Sequence, residues 1–225
     1  PEVTCRDRLQ VELALTRGEY ANAISGYKQA IERGDTESSV LQLYQAYLMS
    51  GDVRTGVEFL QGRIKSAPKA MEHGRLHKAL AEGHLRLGDL NAAGVIYESL
   101  IAAGLKDAGV YNNLAMIRFR QGGEGALQLA RQAHELAPDS PMVNDTFGWL
   151  LVKSGQPAEG LRYLRNASLR AAWNKTIKFH IAVALADLGR EDEARYELRD
   201  LLSRGDRFDG QARAKALLER LSGGQ

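Results

Sequence analysis

Three histidines come closest to a chemical motif in this 225-residue chain: His73, His77 and His84. Imidazole nitrogens are common metal ligands, and offsets of four and eleven residues put all three on one face of a helix. At ~1.5 Å of rise per residue, however, His77 and His84 stand ~10 Å apart along the axis, too far to share an ion on a straight helix. No metal site is expected, and His134 and His180 have no convergent partners in the sequence. The stretch Gly122–Ala126 (GGEGA) reads as a turn between helices, without the preceding strand and following Lys-Ser/Thr of a phosphate loop. G-x-S-x-G and H-E-x-x-H are absent, and the single cysteine, Cys5, excludes an internal disulfide. The chain is therefore read as no enzyme, with no catalytic residue and no cofactor.

What positions the side chains is a unit of about 34 residues. Pro141–Asn174 and Lys175–Phe208 share one layout: a helix, a glycine turn, and a second helix with an apolar–small pattern. The turn glycines Gly18, Gly51, Gly88, Gly122, Gly155 and Gly189 are spaced 33, 37, 34, 33 and 34 residues, which places a small insertion around Met71–His73. Glycine suits a helix C-terminus because the next residue there commonly takes positive φ. Five residues beyond the glycine stand Ala23, Gly56, Ala93, Gly160 and Ala194. The fourth unit reaches Ala126 one residue early, as if its turn were shortened by one. Seven residues before the glycine stand Val11, Tyr44, Ala81, Ala115, Gly148 and Ala182, small in four of six units, so that paired helices can approach closely. His77 and His84 fall where other units carry Tyr111 or Tyr47, and are read as packing. Pro68 and Pro138 end second helices.

This period predicts an all-α chain, an α-solenoid of helix pairs. Units are assigned at about 4–36, 37–70, 74–107, 108–140, 141–174 and 175–208, as a single array over residues 1–225. Asp209 is expected to cap a further helix, 209–222, that turns Ala212, Ala216 and Leu217 to the last unit and Arg213, Lys215, Glu219 and Arg220 outward as a lid. The N-terminus has no such lid and Pro1 is no natural start, so the chain is expected to be the C-terminal piece of a longer protein. Thirty basic against 28 acidic residues, net +2, is too balanced for a reader of nucleic acid. No apolar run reaches the ~18 residues that span a bilayer.

These residues resemble the tetratricopeptide repeat over most of the chain, most strongly in Val110–Ser203. The resemblance implies a right-handed superhelix of about six helix pairs plus a capping helix, with the first helices lining a concave wall that binds a protein or peptide. The exposed places of that wall, three to four residues apart, hold Asn112, Met116, Phe119, Asp145, Trp149, Val152, Phe179 and Val183 in the last three units. In the third they hold Arg75, Lys78, Glu82 and Arg86. Leu114, Ala115, Phe147, Gly148, Ile181 and Ala182 already fill the core places, so the second apolar set points to a groove, with Trp149 as its anchor. Chaperone-binding members grip a terminal carboxylate with five residues. Lys78 and Asn113 match two of those places, whereas Glu82, Met142 and Thr146 occupy the other three, and a chaperone adaptor is not expected.

The run YNNLAMIRFRQGGEGALQLARQAHELAPDSPMVNDTFGWLLVKSGQPAEGLRYLRNAS from Tyr111 is similar to bacterial repeat proteins of exopolysaccharide and exosortase (PEP-CTERM) systems. It departs from them at Met116–Ile117, often Trp-Leu there, and at Arg170–Asn174, often an Ala-Pro stop. That resemblance implies a scaffold in envelope assembly or exopolysaccharide export, periplasmic or associated with the outer membrane. The rival readings are a regulatory or targeting domain of a larger enzyme, such as a glycosyltransferase, and a self-assembling structural array.

Overall fold

A computed structural model describes residues 11, 13–34, 36–66, 74–203 and 207–223, which form helices and turns with no strand among them. Cys5, Pro68 and the insertion at Met71–His73 lie outside the described residues. The chain divides into two compact units, Pro1–Leu105 and Lys106–Gln225. In the first, α1 (Tyr20–Arg33), α2 (Glu37–Met49), α3 (Val53–Ser66), α4 (Gly74–Arg86) and α5 (Leu90–Ala102) follow one another. In the second run α6 (Ala108–Arg120), α7 (Ala126–Leu136), α8 (Pro141–Lys153), α9 (Pro157–Arg170), α10 (Lys175–Asp187), α11 (Glu191–Ser203) and α12 (Gln211–Ser222). No described helix is long and apolar enough to cross a membrane.

Local chemistry sets where helices start and stop. All six turn glycines have positive φ, between 67° and 84°. The turns close as paired reverse hydrogen bonds: after α8, the Gly155 N–H donates to the Val152 carbonyl (3.1 Å) and the Gln156 N–H to Leu151 (2.9 Å). At the starts, Thr36 and Ser39 cap α2 reciprocally, and Asp89 accepts from the Ala92 N–H of α5 at 3.0 Å. The fourth turn is longer than the sequence reading has it. Five residues, 121–125, separate α6 from α7, against three in the neighbouring pairs, and α7 has only 11 residues. Gly123 and Gly125 are poor helix formers, and Gly125 takes φ 80° at the helix entry.

Close helix pairing depends on missing side chains. A Cβ added at Gly148 in α8 would lie 2.8 Å from the Gly160 carbonyl oxygen in α9, and one at Gly160 would lie 2.5 Å from the Gly148 carbonyl oxygen. In the first unit the same place carries Tyr44, and glycine moves to the partner side. Built Cβ atoms at Gly56 and Gly83 would lie 3.4 Å from the Tyr44 ring and 2.5 Å from its hydroxyl. The Tyr44 hydroxyl donates to the Ala79 carbonyl at 2.9 Å.

The first unit buries Ala23, Tyr27, Leu43 and Tyr47 in one cluster and Val40, Tyr44, Leu60, Leu76 and Leu80 in another. In the second unit, Ala115, Phe147, Leu150 and Leu151 form one core. Leu164, Ile181, Ala182, Leu198 and Leu201 form the next, which α12 covers with Ala214, Leu217 and Leu221. Of the face expected of α12, only Leu217 is buried; Ala212 and Ala216 are exposed, because the helix lies rotated so that every third or fourth residue from Ala214 faces the core. Asp209 does not cap it: Gly210, at φ 105°, is the N-cap residue and makes no side-chain cap bond.

Gly148→Leu places its side chain against backbone as well as Leu164, so α8 and α9 must separate; a loss of ~1–3 kcal/mol is expected in chemical denaturation. An unchanged midpoint would contradict the contact. Burial, and then the Glu82 charge against the opposing Arg86, push the Tyr44 hydroxyl from the ordinary 10.0 up to about 12. Below the ordinary value both folded and unfolded chains keep this proton and its contribution is whole. As pH rises toward about 12 the unfolded chain sheds the proton first, and stability falls. Tyr44→Phe should therefore lose less stability than the parent over that window, and equal alkaline losses would contradict the assignment.

Candidate functional site

In the C-terminal unit the first helices of three successive pairs, α6, α8 and α10, lie side by side, α8 touching both others. Their starts are fixed locally. The Val110 N–H donates to Asp107 Oδ1 (3.0 Å) at α6. The Thr176 and Ile177 N–H groups donate to Asn174 Oδ1 (3.0 and 3.4 Å) at α10. Pro141 opens α8, where a missing N–H costs nothing. Asn144 of α8 donates back to the Pro138 and Ser140 carbonyls at 2.7 and 3.0 Å, pinning the incoming loop.

The three helices and the start of α12 enclose an open groove of about 610 Å³. Met116, Phe119 and Arg120 line it from α6, Asp145, Trp149 and Lys153 from α8, and Thr176, Phe179, His180 and Val183 from α10; Asp209 and Arg213 close the far side. A second hollow of about 410 Å³ shares Lys153, Phe179, Val183 and Arg213 with it and continues past Ala186, Leu217 and Arg220. The floor is a stacked assembly. The Trp149 indole lies on the His180 imidazole, ring centroids 4.0 Å apart and 16° from parallel, and His180 Nδ1 is 2.7 Å from Asp145 Oδ1. The Lys153 ammonium stands 4.5 Å from the centre of the Trp149 ring, and the Arg213 guanidinium 5.4 Å from that of Phe179.

Six of the expected wall residues, Met116, Phe119, Asp145, Trp149, Phe179 and Val183, thus share one groove, but their exposure differs from the expectation. Met116, Phe119 and Val183 are half-buried and open to it. Trp149, expected as a half-wet anchor, is only 6% exposed, because His180 of the next pair stacks on it. Phe179 is 4% exposed, with Arg213 over its ring and Gly210 so close that an added Cβ would lie 3.5 Å away. Val152, 4% exposed, belongs to the core, its methyl filling the space that Gly160 leaves. Asn112, 3% exposed, is buried with its Nδ2 3.4 Å from Asn113 Oδ1.

Arg75, Lys78 and Glu82 belong to α4 in the N-terminal unit. There Arg75 pairs with Glu37 (3.2 Å), Lys78 is half-buried, and Arg75, Glu82 and Arg86 border a hollow of about 340 Å³ over Tyr44. His84 is buried, its Nε2 3.0 Å from Gln61 Nε2 and its Nδ1 3.5 Å from Asp89. His134 stacks on Phe147 at 5.4 Å.

The sequence reading missed His180, whose partner Asp145 lies 35 residues away in the chain, about one repeat. It also missed the groove cations. Arg120 and Lys153 both stand two residues before a turn glycine, and that shared register was the available signal. Arg213 carries no such signal, since α12 has no counterpart among the repeats.

No protein-family model matches the chain, and no curated protein sequence matches it. Solved structures do. A tetratricopeptide repeat protein from Parabacteroides merdae aligns over 98% of this chain and 86% of its own, with a TM-score of 0.74 at 12% identity. Pseudomonas aeruginosa PilF aligns over 83% and 82%, with 0.66 at 22%. YrrB, described as a tetratricopeptide repeat protein with an unusual peptide-binding site, aligns over 79% and 91%, with 0.61 at 14%. The chain has the tetratricopeptide-repeat fold. In the register of that repeat, Met116, Trp149 and Val183 occupy one place, six residues before successive turn glycines; of the three only Trp149 is buried, with a ring of the next repeat stacked on it.

Trp149 is therefore expected to act as structure. Trp149→Ala should cost ~3–5 kcal/mol of stability, as for other buried aromatics. In a Trp173→Phe background, where Trp149 is the remaining indole, fluorescence should be blue-shifted; red-shifted emission with unchanged melting would restore it as an exposed anchor.

Proposed function

We propose that the chain is a binding scaffold that holds a segment of a partner protein in the groove of its C-terminal unit. The observation that carries this reading is the arrangement over the stacked Trp149–His180 floor. Met116, Phe119 and Val183 present half-open apolar surface into about 610 Å³ of open space, although the core beneath is filled by other residues. Rigid rings that are already packed lose little freedom when a ligand lands on them, which lowers the cost of binding. YrrB, with the same fold and a peptide-binding site, supports peptide as the kind of ligand.

The cadence of the last repeats supports a place for this scaffold in bacterial envelope assembly or exopolysaccharide export, in the periplasm or at the outer membrane. A photo-crosslinking residue at Phe119, introduced in the native host, should trap one partner protein, and Met116→Arg should weaken that capture roughly tenfold or more, the size of a lost hot spot, with melting unchanged. Equal capture from a probe at Val95, exposed on α5 of the other unit, would overturn the groove. Fractionation of the host and surface polysaccharide measured in a deletion strain test the pathway; a cytoplasmic protein with normal polysaccharide would overturn that part.

A further inference from the structure

The two hollows of the C-terminal unit meet at Lys153, Phe179, Val183 and Arg213, so two cations stand at the junction and a ring lies under each. Four other basic groups of this unit are neutralised on the surface: Arg170 by Asp139 (2.6 Å), Lys178 by Asp200 (3.1 Å), Arg190 by Glu193 (2.6 Å) and Arg195 by Asp192 (2.6 Å). Lys153 and Arg213 make no ion pair among the described residues; what holds them is the faces of Trp149 and Phe179. A cation over a ring keeps its remaining N–H donors free, at about 0.5–1 kcal/mol of attraction when exposed.

Each hollow carries further positive charge in its lining, Arg120 in the larger and Arg220 in the smaller. Against these stand Asp209 and Asp187, one at each hollow, and Asp145, which His180 already occupies. Among the described residues, the four shared by both hollows include no anion, and Met116, Phe119 and Val183 give the larger hollow its apolar surface.

Building on the scaffold reading, we infer that the occupant of this groove is an internal acidic segment of a partner protein, whose side-chain carboxylate sits between Lys153 and Arg213. A neighbouring apolar side chain of that segment enters the larger hollow against Met116 and Phe119. The carboxylate exchanges water for charge-assisted hydrogen bonds from the two cations. The two hollows, about 410 and 610 Å³, leave room for the chain to continue past the carboxylate. That room favours an internal carboxylate over a chain terminus.

The test uses the whole chain and a random-peptide display library as the probe. Selected peptides should carry Asp or Glu beside an apolar residue in their interior. Changing that acid to its amide, or raising the salt, should weaken binding roughly tenfold or more, as for truncation of a paired charge. The double variant Lys153→Glu with Arg213→Glu should lose these peptides, and a Lys-bearing version should bind it better than it binds the parent. Both changed side chains are exposed, and circular dichroism with the milder Lys153→Gln, Arg213→Gln pair checks that the fold is kept. Neutral peptides that bind the charge-reversed variant equally but are lost with Met116→Arg would overturn the acidic segment and leave the scaffold reading standing. Acidic peptides that stop binding when their C-terminus is amidated would overturn the internal placement. Peptides indifferent to Met116→Arg, or none selected at all, would overturn the groove and this inference with it.

Discussion

The contact on which the rest of the C-terminal unit depends is the meeting of α8 and α9 at two glycines. With no Cβ on either side, each backbone lies close to the other's carbonyl oxygen, closer than any side-chain-bearing pair allows. Val152 and Leu164 flank the contact, and Trp149, the residue after Gly148, stands a helical step of ~100° from it. The indole must then find cover elsewhere, and finds it on His180 of the next repeat. The floor of the groove is thus a by-product of how tightly one helix pair closes. Groove floor and core are one piece of packing.

The same constraint is met differently along the chain. Where α8 and α9 use glycine on both sides, the first unit sets a large Tyr44 against Gly56 and Gly83. The volume omitted on one helix is supplied by the other, so total packing is kept while the distribution changes. The Tyr44 hydroxyl needs a partner when buried, and the Ala79 carbonyl of α4 gives it one. A residue that fits the repeat pattern poorly in sequence is therefore well accommodated in space.

How much was legible follows from the range of each interaction. The turn glycines depend on neighbours within a few residues, and the sequence showed them. The set Leu114, Ala115, Phe147, Gly148, Ile181 and Ala182 was also read correctly as core. What was not legible is whether a wall residue stays open. Met116 and Trp149 hold the same place in the register, yet only Trp149 is covered, and its cover comes from 31 residues further on. Phe179 is covered by a segment outside the repeat altogether. Asp209 misled for a related reason: an acidic residue before a helix is a good cap by type, but Gly210 in a left-handed conformation took the capping place.

Tyr44 gives its hydroxyl proton to Ala79 and occupies the space over Gly83, both on the following helix pair, while Trp149 is stacked by a ring of the pair that follows it. These long side chains act as addresses written from one repeat to its successor. Cutting out a repeat, doubling one or exchanging two would set Tyr44 against a pair without Gly83, or leave the indole without its imidazole. Look-alike modules are in this way held to a single reading order.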